Sequence, residues 1–327
     1  MNEKPVIAVL VADGGSWPPG LDPIAESAIV RLATNAEELA AILPEADVLV
    51  VYDFGTTLVR DFWHLAGRVR WIHTASAGVD AVLFAETAAA DVVVTNSRGV
   101  FDDAIAEYVL ALVLLLAKDL HTTLALQRAH TWRHRESEMV AGSRMLVVGA
   151  GSIGRAIARL AGQAGMCVEG IARTERTDDP DFGHVRPPSE LHARLAQADV
   201  VVIAAPLTDD TRGMIGAGEL AAMGAGARLI NVGRGAIVDQ AALVDTLRSG
   251  RLGGAALDVF DDEPLPPGHP LWDLPNVVVS PHMSGDYAGW LDALGELFVE
   301  NLRRWQHGNQ LLNVVDKQVP TPAERVS

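Results

Sequence analysis

Three short stretches place ionisable residues directly after apolar segments that have the character of β-strands. Arg234 lies between two glycines in Asn-Val-Gly-Arg-Gly, Glu263 follows Ala-Ala-Leu-Asp-Val-Phe-Asp-Asp, and His282 follows Val-Val-Val-Ser-Pro. Each alone has a simpler explanation, as a surface arginine, a solvated acid or a structural histidine. In open α/β sheets, however, ligands bind at the carboxyl ends of the strands. Three such residues at three strand ends therefore favour a shared site, in which Arg234 could bind a carboxylate through two hydrogen bonds.

A glycine-rich turn upstream has the pattern of a dinucleotide site. Residues 145–148 are apolar, Gly149, Gly151 and Gly154 form G-x-G-x-x-G, and a helical pattern begins at Ile153. The first glycine permits the tight turn, the second lets the backbone approach the phosphates, and the third allows close packing of helix and strand. A lone motif of this kind is also compatible with a simple turn, but the preceding strand and following helix favour a bound pyrophosphate at the helix N-terminus.

The composition is that of a globular protein of about two domains. The 327 residues are 49% hydrophobic, and the formal charge of −16 opposes binding to nucleic acid or to an anionic membrane. The one cysteine, Cys167, excludes an intrachain disulfide and a cysteine-based zinc site, so no metal site is expected; we expect this residue to be buried in a strand. The N-terminus lacks the features of a signal peptide, and the longest apolar segment, 108–117, is too short to span a bilayer, so we expect a cytoplasmic protein.

Strand and helix patterns alternate through the first hundred residues, which predicts a small parallel α/β domain. Within it, residues 24–42 are predicted to be helical. A long apolar helix over 102–118 must then be buried on most sides, between domains or subunits. The polar segment 121–141 is either an arm that reaches a partner subunit or a solvated connecting helix.

A second alternating series predicts a doubly wound sheet built from two nucleotide-binding halves. Its six predicted strands cover 145–148, 167–172, 200–204, 228–232, 254–259 and 277–280. A last helix is predicted over 291–305. The polar tail after Asn313 is expected to return along the first domain.

The stretch from Gly149 to His282 resembles the D-2-hydroxyacid dehydrogenase family, in motifs, order and spacing. The matching blocks are G-A-G-S-I-G at 149–154, P-L-T-D-D-T-R-G-M-I at 206–215, N-V-G-R-G-A-I-V-D at 231–239, G-G-A-A-L-D-V-F-D-D-E-P-L-P at 253–266, P-L-W-D-L-P-N at 270–276 and S-P-H at 280–282. The first hundred residues match more loosely, through S-A-G-V-D at 76–80 and N-S-R-G at 96–99. The resemblance covers nearly the whole chain.

The resemblance implies an α/β fold of two doubly wound parallel-sheet domains. A Rossmann cofactor domain at 99–285 would be inserted into a flavodoxin-like substrate domain made of 1–98 and 286–327. It also implies a homodimer that associates through the helix and arm at 102–141.

The resemblance also assigns roles to individual residues. Arg234 would bind and polarise the substrate, His282 would be the acid–base residue, and Glu263 its partner. The backbone N–H groups of Ser76, Ala77 and Gly78 would hold the substrate's carboxylate. Asp258 would orient the nicotinamide ring, and further cofactor contacts would come from Gly149, Gly151, Ser152, Ile153, Gly154, Pro206, Thr211, Val232 and Gly233.

These residue types suit the reduction of a ketone. Hydride addition places negative charge on the carbonyl oxygen, which a guanidinium stabilises and an imidazolium neutralises with a proton. A carboxylate beside the imidazole raises its pKa by favouring the charged form. Formate dehydrogenases of this family need no proton transfer and carry an amide at the position of Glu263, so the glutamate favours a pair of keto acid and hydroxy acid.

The end of the second strand departs from the pattern of NAD-binding members, which carry an acid there for the ribose 2′-hydroxyl. Glu169 comes too early in the strand to reach the ribose. Arg173 stands where the acid is expected and could pair with a 2′-phosphate, with Thr174 and Arg176 adding a hydrogen bond and a second charge. We therefore expect NADP(H) to be preferred, with NAD(H) still possible; the alternative is that Arg173 only stacks on the adenine.

Two classes of function remain open on this resemblance. The first is an NADPH-dependent reductase of small 2-keto acids, with glyoxylate and hydroxypyruvate as the leading substrates. The second is a dinucleotide-sensing corepressor of the same fold, although only the short tail 319–327 has the composition of a disordered flank. Phosphoglycerate dehydrogenase is disfavoured because its common regulatory extension is missing. The residues that would surround the substrate's side chain are undecided among Tyr52, Phe54, Met283 and Trp290.

Overall fold

Two β-sheets organise the chain, each in its own unit. The computed structural model describes residues 4–317. Among these residues, one unit contains 4–100 and 288–317, and the other runs from Phe101 to Tyr287. Both divisions fall two residues beyond the predicted ones, which were 98/99 and 285/286.

The first unit contains a parallel sheet whose strand order is that of flavodoxin-like folds. Its strands are β1 (Val6–Leu10), β2 (Ile29–Ala33), β3 (Val48–Val51), β4 (Trp71–Thr74) and β5 (Val93–Thr95), and its helices are α1 (Ala36–Ile42), α2 (Leu58–Phe62), α3 (Ala85–Ala89) and α10 (Trp290–Gln306). The order across the sheet is β2-β1-β3-β4-β5. Strands β3 and β4 are buried along their whole length, as expected of parallel strands covered on both faces.

The prediction of one helix over 24–42 is wrong, because an edge strand interrupts it. Strand β2 pairs in parallel with β1 along its whole length. Its solvent exposure alternates, with Ile29 and Arg31 exposed and Val30 and Leu32 partly covered, which is the period of two typical of a strand. Helix α1 starts only after Asn35, whose side chain accepts a hydrogen bond from the Glu38 N–H and so caps the helix.

The second unit contains a larger sheet with helices between most of its strands. Its strands are β6 (Arg144–Val148), β7 (Cys167–Ile171), β8 (Arg176–Asp179), β9 (Gly183–Arg186), β10 (Val200–Ile203), β11 (Arg228–Asn231), β12 (Gly254–Leu257) and β13 (Val277–Val279). Its helices are α4 (Asp102–Ala117), α5 (Leu120–Arg128), α6 (Ser152–Gln163), α7 (Leu191–Leu195), α8 (Ala217–Ala222) and α9 (Gln240–Arg248).

The order β13-β12-β11-β10-β6-β7-β9-β8 contains the doubly wound arrangement that the sequence predicts. All pairings are parallel except that between β8 and β9. The six predicted strands are present, but β8 and β9 were missed. Their sequences, Arg-Thr-Asp-Asp and Gly-His-Val-Arg, contain no apolar run, because they form a partly exposed edge of the sheet.

Cys167 corrects a second expectation. The residue is the first of β7, and it is exposed rather than buried. The apolar run that suggested burial starts at the open end of the strand, and full burial is reached only at Gly170 and Ile171. A thiol at this position can react with solvent-borne reagents but has no structural role in the core.

The long helix α4 is largely buried, as predicted, whereas the segment after it is mostly exposed in the single chain. Seven residues of α4 are buried, and α5 has none. Residues 129–141 form no regular element, and Trp132 within them is fully exposed. Among the described residues no single helix is long and apolar enough to cross a bilayer; α4 and α5 meet that criterion only when counted together, across a 65° bend.

The C-terminal segment returns along the first sheet, as predicted, at least as far as Lys317. The Val315 N–H donates to the Val94 carbonyl, and Val314 forms an antiparallel bridge with Thr95. The Lys317 ammonium then donates to the carbonyls of Ala90 and Val92 at 2.6 and 2.8 Å. The tail at 319–327, for which disorder was predicted, lies outside the described residues.

Candidate functional site

The glycine turn after β6 has the shape that a dinucleotide pyrophosphate needs. Gly149 has a φ of +109°, and a Cβ there would lie 2.5 Å from the Ala205 nitrogen. A Cβ on Gly154 would lie 1.9 Å from the Gly149 oxygen, whereas one on Gly151 would meet nothing within 4 Å. The first and third glycines are therefore required by packing, and the second faces open space. That space lies at the start of α6, where the N–H groups of a helix N-terminus can bind a phosphate group.

The other predicted residues of this turn begin α6. Gly151 is the N-terminal cap, and Ser152 and Ile153 form the first turn of the helix. The Ser152 hydroxyl donates to the Asp102 carboxylate at 3.3 Å, which ties this turn to α4. The backbone N–H groups of a first helical turn have no partner within the helix and can bind an anion.

The two arginines after β7 differ in their surroundings. Arg173 is exposed, as is Thr174, and within residues 4–317 its guanidinium forms no hydrogen bond or ion pair. Arg176 is already held: its Nε donates to Asp179 Oδ2 at 2.9 Å, and its Nη2 donates to the Ala150 carbonyl at 3.4 Å. The Arg173 guanidinium can therefore bind a ligand. The Arg176 guanidinium instead stabilises the glycine turn, through its hydrogen bond to the Ala150 carbonyl.

Arg176 belongs to a charged cluster around Asp179 that the sequence analysis missed. Asp179 is almost fully buried and accepts both Arg155 Nη1 at 3.0 Å and Arg155 Nη2 at 2.8 Å. Arg155 also donates to Asp181 at 2.7 Å. Burial on its own would raise the pKa of Asp179, but the hydrogen bonds from Arg155 and Arg176 hold that pKa well below its usual range. Arg155 lies on α6, 24 residues before Asp179, so the spacing of these residues in the sequence does not reveal their contact.

Two glycines let the turn of Arg234 pack against its neighbours. A Cβ on Gly233 would lie 2.8 Å from the Ala205 oxygen, and one on Gly235 would lie 2.0 Å from the Phe260 carbonyl carbon. These contacts join the loops after β10, β11 and β12. Asn231, which the sequence analysis did not select, fixes the turn: its amide donates to the Arg234 carbonyl and accepts from the Gly233 N–H, both at 3.0 Å.

His282 and Glu263 form a direct pair. His282 Nδ1 lies 2.7 Å from Glu263 Oε2, and Glu263 Oε1 accepts the Phe260 N–H at 2.9 Å. With Nδ1 bonded to the carboxylate, Nε2 is the atom that can exchange a proton. The hydrogen bond to Glu263 raises the pKa of His282, against the opposing effects of burial and of the Arg234 charge. Burial on its own would raise the pKa of Glu263. The hydrogen bonds from His282 and from the Phe260 N–H outweigh this effect, so the pKa of Glu263 lies below its usual value.

Asp258 holds the turn that carries His282. The residue is 1% exposed, and its carboxylate accepts the Ser280 hydroxyl at 2.6 Å and the N–H groups of Met283 and Ser284 at 3.0 and 2.9 Å. His282 itself has a φ of +52°, a left-handed conformation that is uncommon for residues other than glycine. The three hydrogen bonds to Asp258 stabilise that conformation.

The remaining predicted cofactor residues follow β10 and β11. The Thr211 hydroxyl donates to the Pro206 carbonyl at 2.7 Å and closes the loop after β10. Val232 and Gly233 are buried directly after β11. These loops start at the same sheet edge as the glycine turn, because β10 is the neighbour of both β6 and β11.

The predicted carboxylate loop belongs to the first unit. Ser76, Ala77 and Gly78 follow β4 and are all partly exposed.

Among the candidates for the substrate's side chain, Phe54 is exposed and its ring lies 6.1 Å from that of Trp290. Tyr52 is buried, and its hydroxyl has no hydrogen-bond partner in residues 4–317. Met283, in the second unit, is exposed.

Comparisons with known proteins identify the family to which the chain belongs. Residues 110–284 match the family model described as "D-isomer specific 2-hydroxyacid dehydrogenase, NAD binding domain". A glyoxylate/hydroxypyruvate reductase A of Arabidopsis thaliana is 35% identical over 244 residues, which are 73% of this chain and 76% of the relative.

Two solved structures are similar over almost their whole length. A D-isomer specific 2-hydroxyacid dehydrogenase from Xanthobacter autotrophicus, in complex with NADPH and MES, has a TM-score of 0.79 at 31% identity, with 95% of this chain and 98% of that chain covered. An NADPH-dependent glyoxylate/hydroxypyruvate reductase from Sinorhizobium meliloti, in complex with NADP and sulfate, has a TM-score of 0.82 at 28% identity, with 97% and 99% covered. The chain belongs to the D-isomer specific 2-hydroxyacid dehydrogenase family and is an oxidoreductase with a nicotinamide-dinucleotide-binding domain.

Proposed function

We propose that this protein is an NADPH-dependent reductase of small 2-keto acids, with glyoxylate and hydroxypyruvate as its leading substrates. The observation that carries the proposal is the 2.7 Å pair of His282 and Glu263, whose charges interact with Arg234. The related reductases of Arabidopsis thaliana and Sinorhizobium meliloti are named for these substrates. A cytoplasmic homodimer is part of the proposal.

The side chains divide the reaction between them. A bound NADPH would supply the hydride to the carbonyl carbon of the keto acid. Arg234 binds the substrate and stabilises the negative charge that develops on the carbonyl oxygen. His282 donates the proton on Nε2 to that oxygen, and Glu263 stabilises the imidazolium before the transfer. The N–H groups of the Ser76–Gly78 loop bind the carboxylate, and the product is the 2-hydroxy acid.

The preference for NADPH is assigned to Arg173. An exposed guanidinium without an internal partner can form a bidentate pair with a 2′-phosphate, which NADH lacks. Thr174 adjoins it and can donate a hydrogen bond to the same group. Arg176 contributes through its contact with the glycine turn, because its guanidinium is already paired with Asp179.

Steady-state kinetics test the proposal. The values of kcat/KM are measured with NADPH and NADH against glyoxylate, hydroxypyruvate, pyruvate and phenylpyruvate. We expect turnover of the two small substrates with NADPH and a lower kcat/KM with NADH. A preference for NADH would contradict the cofactor assignment. Tight NADPH binding without turnover of any keto acid would contradict the reductase and favour a dinucleotide sensor.

A further inference from the structure

We propose that Asn96 is a positioning residue for the substrate's carboxylate, because its side chain holds the Ser76–Gly78 loop with the backbone N–H groups open to an anion. The proposal rests on the carboxylate-binding role given to this loop under the proposed function. It adds a residue that neither touches the substrate nor belongs to the catalytic group.

Every carbonyl of the loop is occupied by a donor of the first unit. The Ser76 carbonyl accepts the Ser97 N–H at 2.9 Å, and the Ala77 carbonyl accepts Asn96 Nδ2 at 2.7 Å. The Gly78 carbonyl accepts the Ser76 hydroxyl at 2.6 Å. Within residues 4–317, the N–H groups of Ala77 and Gly78 donate to no partner. The carbonyl groups of the loop are therefore occupied within the first unit, while the N–H groups of Ala77 and Gly78 remain able to donate. An anion requires such N–H donors.

The Asn96 amide has one orientation. Its Oδ1 accepts the Arg98 N–H at 3.3 Å, so Nδ2 is the atom that faces the Ala77 carbonyl. The Asn96 N–H donates to the Asn313 carbonyl at 3.2 Å, which anchors the residue to the C-terminal segment. The side chain is held at both ends and cannot rotate without losing a hydrogen bond.

A buried polar network continues from this loop into the core of the first unit. Ser97 is fully buried, and its hydroxyl donates to the Thr74 carbonyl at 3.1 Å. Ser97 Oγ also lies 3.4 Å from Nε2 of His73, whose Nδ1 lies 2.9 Å from Thr95 Oγ1. The Trp71 indole donates to the same Thr95 hydroxyl at 2.8 Å.

The network has a consistent direction of donation. Because Trp71 can only donate, the Thr95 hydroxyl is free to donate to His73 Nδ1, and the remaining proton of His73 then points to Ser97. Fully satisfied buried networks of this kind stiffen the backbone to which they are attached. The loop is thus shaped by the interior of its own unit before any substrate binds.

Three variants test the assignment. Asn96→Ala removes the hydrogen bond to the Ala77 carbonyl, and Asn96→Asp replaces the donor by an oxygen of equal size. Asn309→Ala is the matched control, because this asparagine of the first unit is exposed and its side chain forms no hydrogen bond to residues 76–78 or 96–98. The readouts are KM and kcat for glyoxylate, the inhibition constant of oxalate as a carboxylate probe, and the Kd of NADPH.

We expect Asn96→Ala to raise the KM for glyoxylate and the inhibition constant of oxalate about 5- to 20-fold, the effect of one lost hydrogen bond to a partly buried acceptor. Asn96→Asp should have a larger effect, and both should leave the Kd of NADPH and the saturated kcat within about twofold of the wild type. The control variant Asn309→Ala should change none of the four quantities. If Asn96→Ala does not fold, the isosteric Asn96→Asp provides the measurement.

The proposal is overturned if a folded Asn96 variant binds glyoxylate and oxalate as the wild type does, or if NADPH affinity falls as much as oxalate affinity. Failure of the proposed function is a different result, since the wild-type enzyme itself would then turn over no 2-keto acid. Oxalate binding remains measurable in that case and still reports on the loop.

Discussion

The two sheets present different chemistry at the carboxyl ends of their strands. In the first unit, the loop after β4 is held by neutral groups, and burial lowers the pKa of His73 behind it to about 3, so that the network stays uncharged near neutral pH. In the second unit, the loops after β11, β12 and β13 carry Arg234, Glu263 and His282, which interact through their charges. The comparison teaches that the two tasks are separated. The loop after β4 can bind an anion through neutral backbone groups, independently of pH, whereas the proton donor His282 lies among charged groups and changes its protonation state with pH.

The largest expected effect is that of His282→Ala. Loss of a general acid should lower kcat by about 10²- to 10⁴-fold. The Kd of NADPH should change little, because the glycine turn does not depend on this side chain. His192→Ala, which removes an exposed histidine of the same unit on α7, is the control for both measurements. A kcat within twofold of the wild type would remove His282 from the mechanism.

Arg234→Ala should have the next largest effect. Removal of one donor to a developing oxyanion lowers kcat by about 10²- to 10³-fold, and the loss of carboxylate binding should raise KM as well. Arg234→Lys should recover only part of the loss, because an ammonium cannot form the bidentate contact. Arg248→Ala, at an exposed position at the end of α9, controls for the change in net charge. Unchanged KM and kcat in Arg234→Ala would contradict the role assigned to the guanidinium.

Two arginine variants distinguish binding of the 2′-phosphate, assigned to Arg173, from stabilisation of the glycine turn, assigned to Arg176. Arg173→Ala should weaken NADPH binding about 10- to 100-fold, as for the loss of a charged hydrogen bond, and leave NADH binding unchanged. Arg176→Ala should weaken both cofactors by similar factors, because it removes the contact with the Ala150 carbonyl. Titration of cofactor fluorescence gives the four dissociation constants. Equal losses for both cofactors in Arg173→Ala would contradict the assignment.

The smallest expected effect concerns the acid stability of the first unit. His73 has a folded-state pKa of about 3 and an ordinary value of 6.5, so between these limits the unfolded chain binds a proton that the folded chain does not. The stabilisation is complete above pH 6.5 and is lost as the pH falls, by at most about 1.4 kcal/mol per pH unit for one proton. Urea unfolding of the wild type and of His73→Gln at pH 8 and pH 5 measures it. The wild type should lose more stability than the variant; equal losses would contradict the burial argument.

Much of this organisation could be predicted from the sequence, because the strands that position the site are apolar runs. Both sheet types and the residues after β6, β11, β12 and β13 were identified in this way. The edge strands β2, β8 and β9 were harder: β2 was read as part of a helix, and β8 and β9, whose polar sequences lack an apolar run, were missed. Asn96 and Asp179 form hydrogen bonds to residues 19 and 24 positions away, so no local spacing marks them. Asn231 bonds within its own turn, to Gly233 and Arg234, and only the orientation of its side chain reveals that role.

The central claim is that His282 donates the proton and that Glu263 keeps it charged. The direct measurement is the pH dependence of kcat/KM for glyoxylate reduction, in the wild type and in Glu263→Gln. Arg234, Asp258 and Asp286, which also interact with His282, remain the same in both proteins. Reduction requires the protonated imidazole, and Glu263 raises the pKa of His282, so wild-type activity should persist above pH 6.5 and fall as the pH rises further. In Glu263→Gln the fall should begin at a lower pH; an unchanged midpoint would contradict the account.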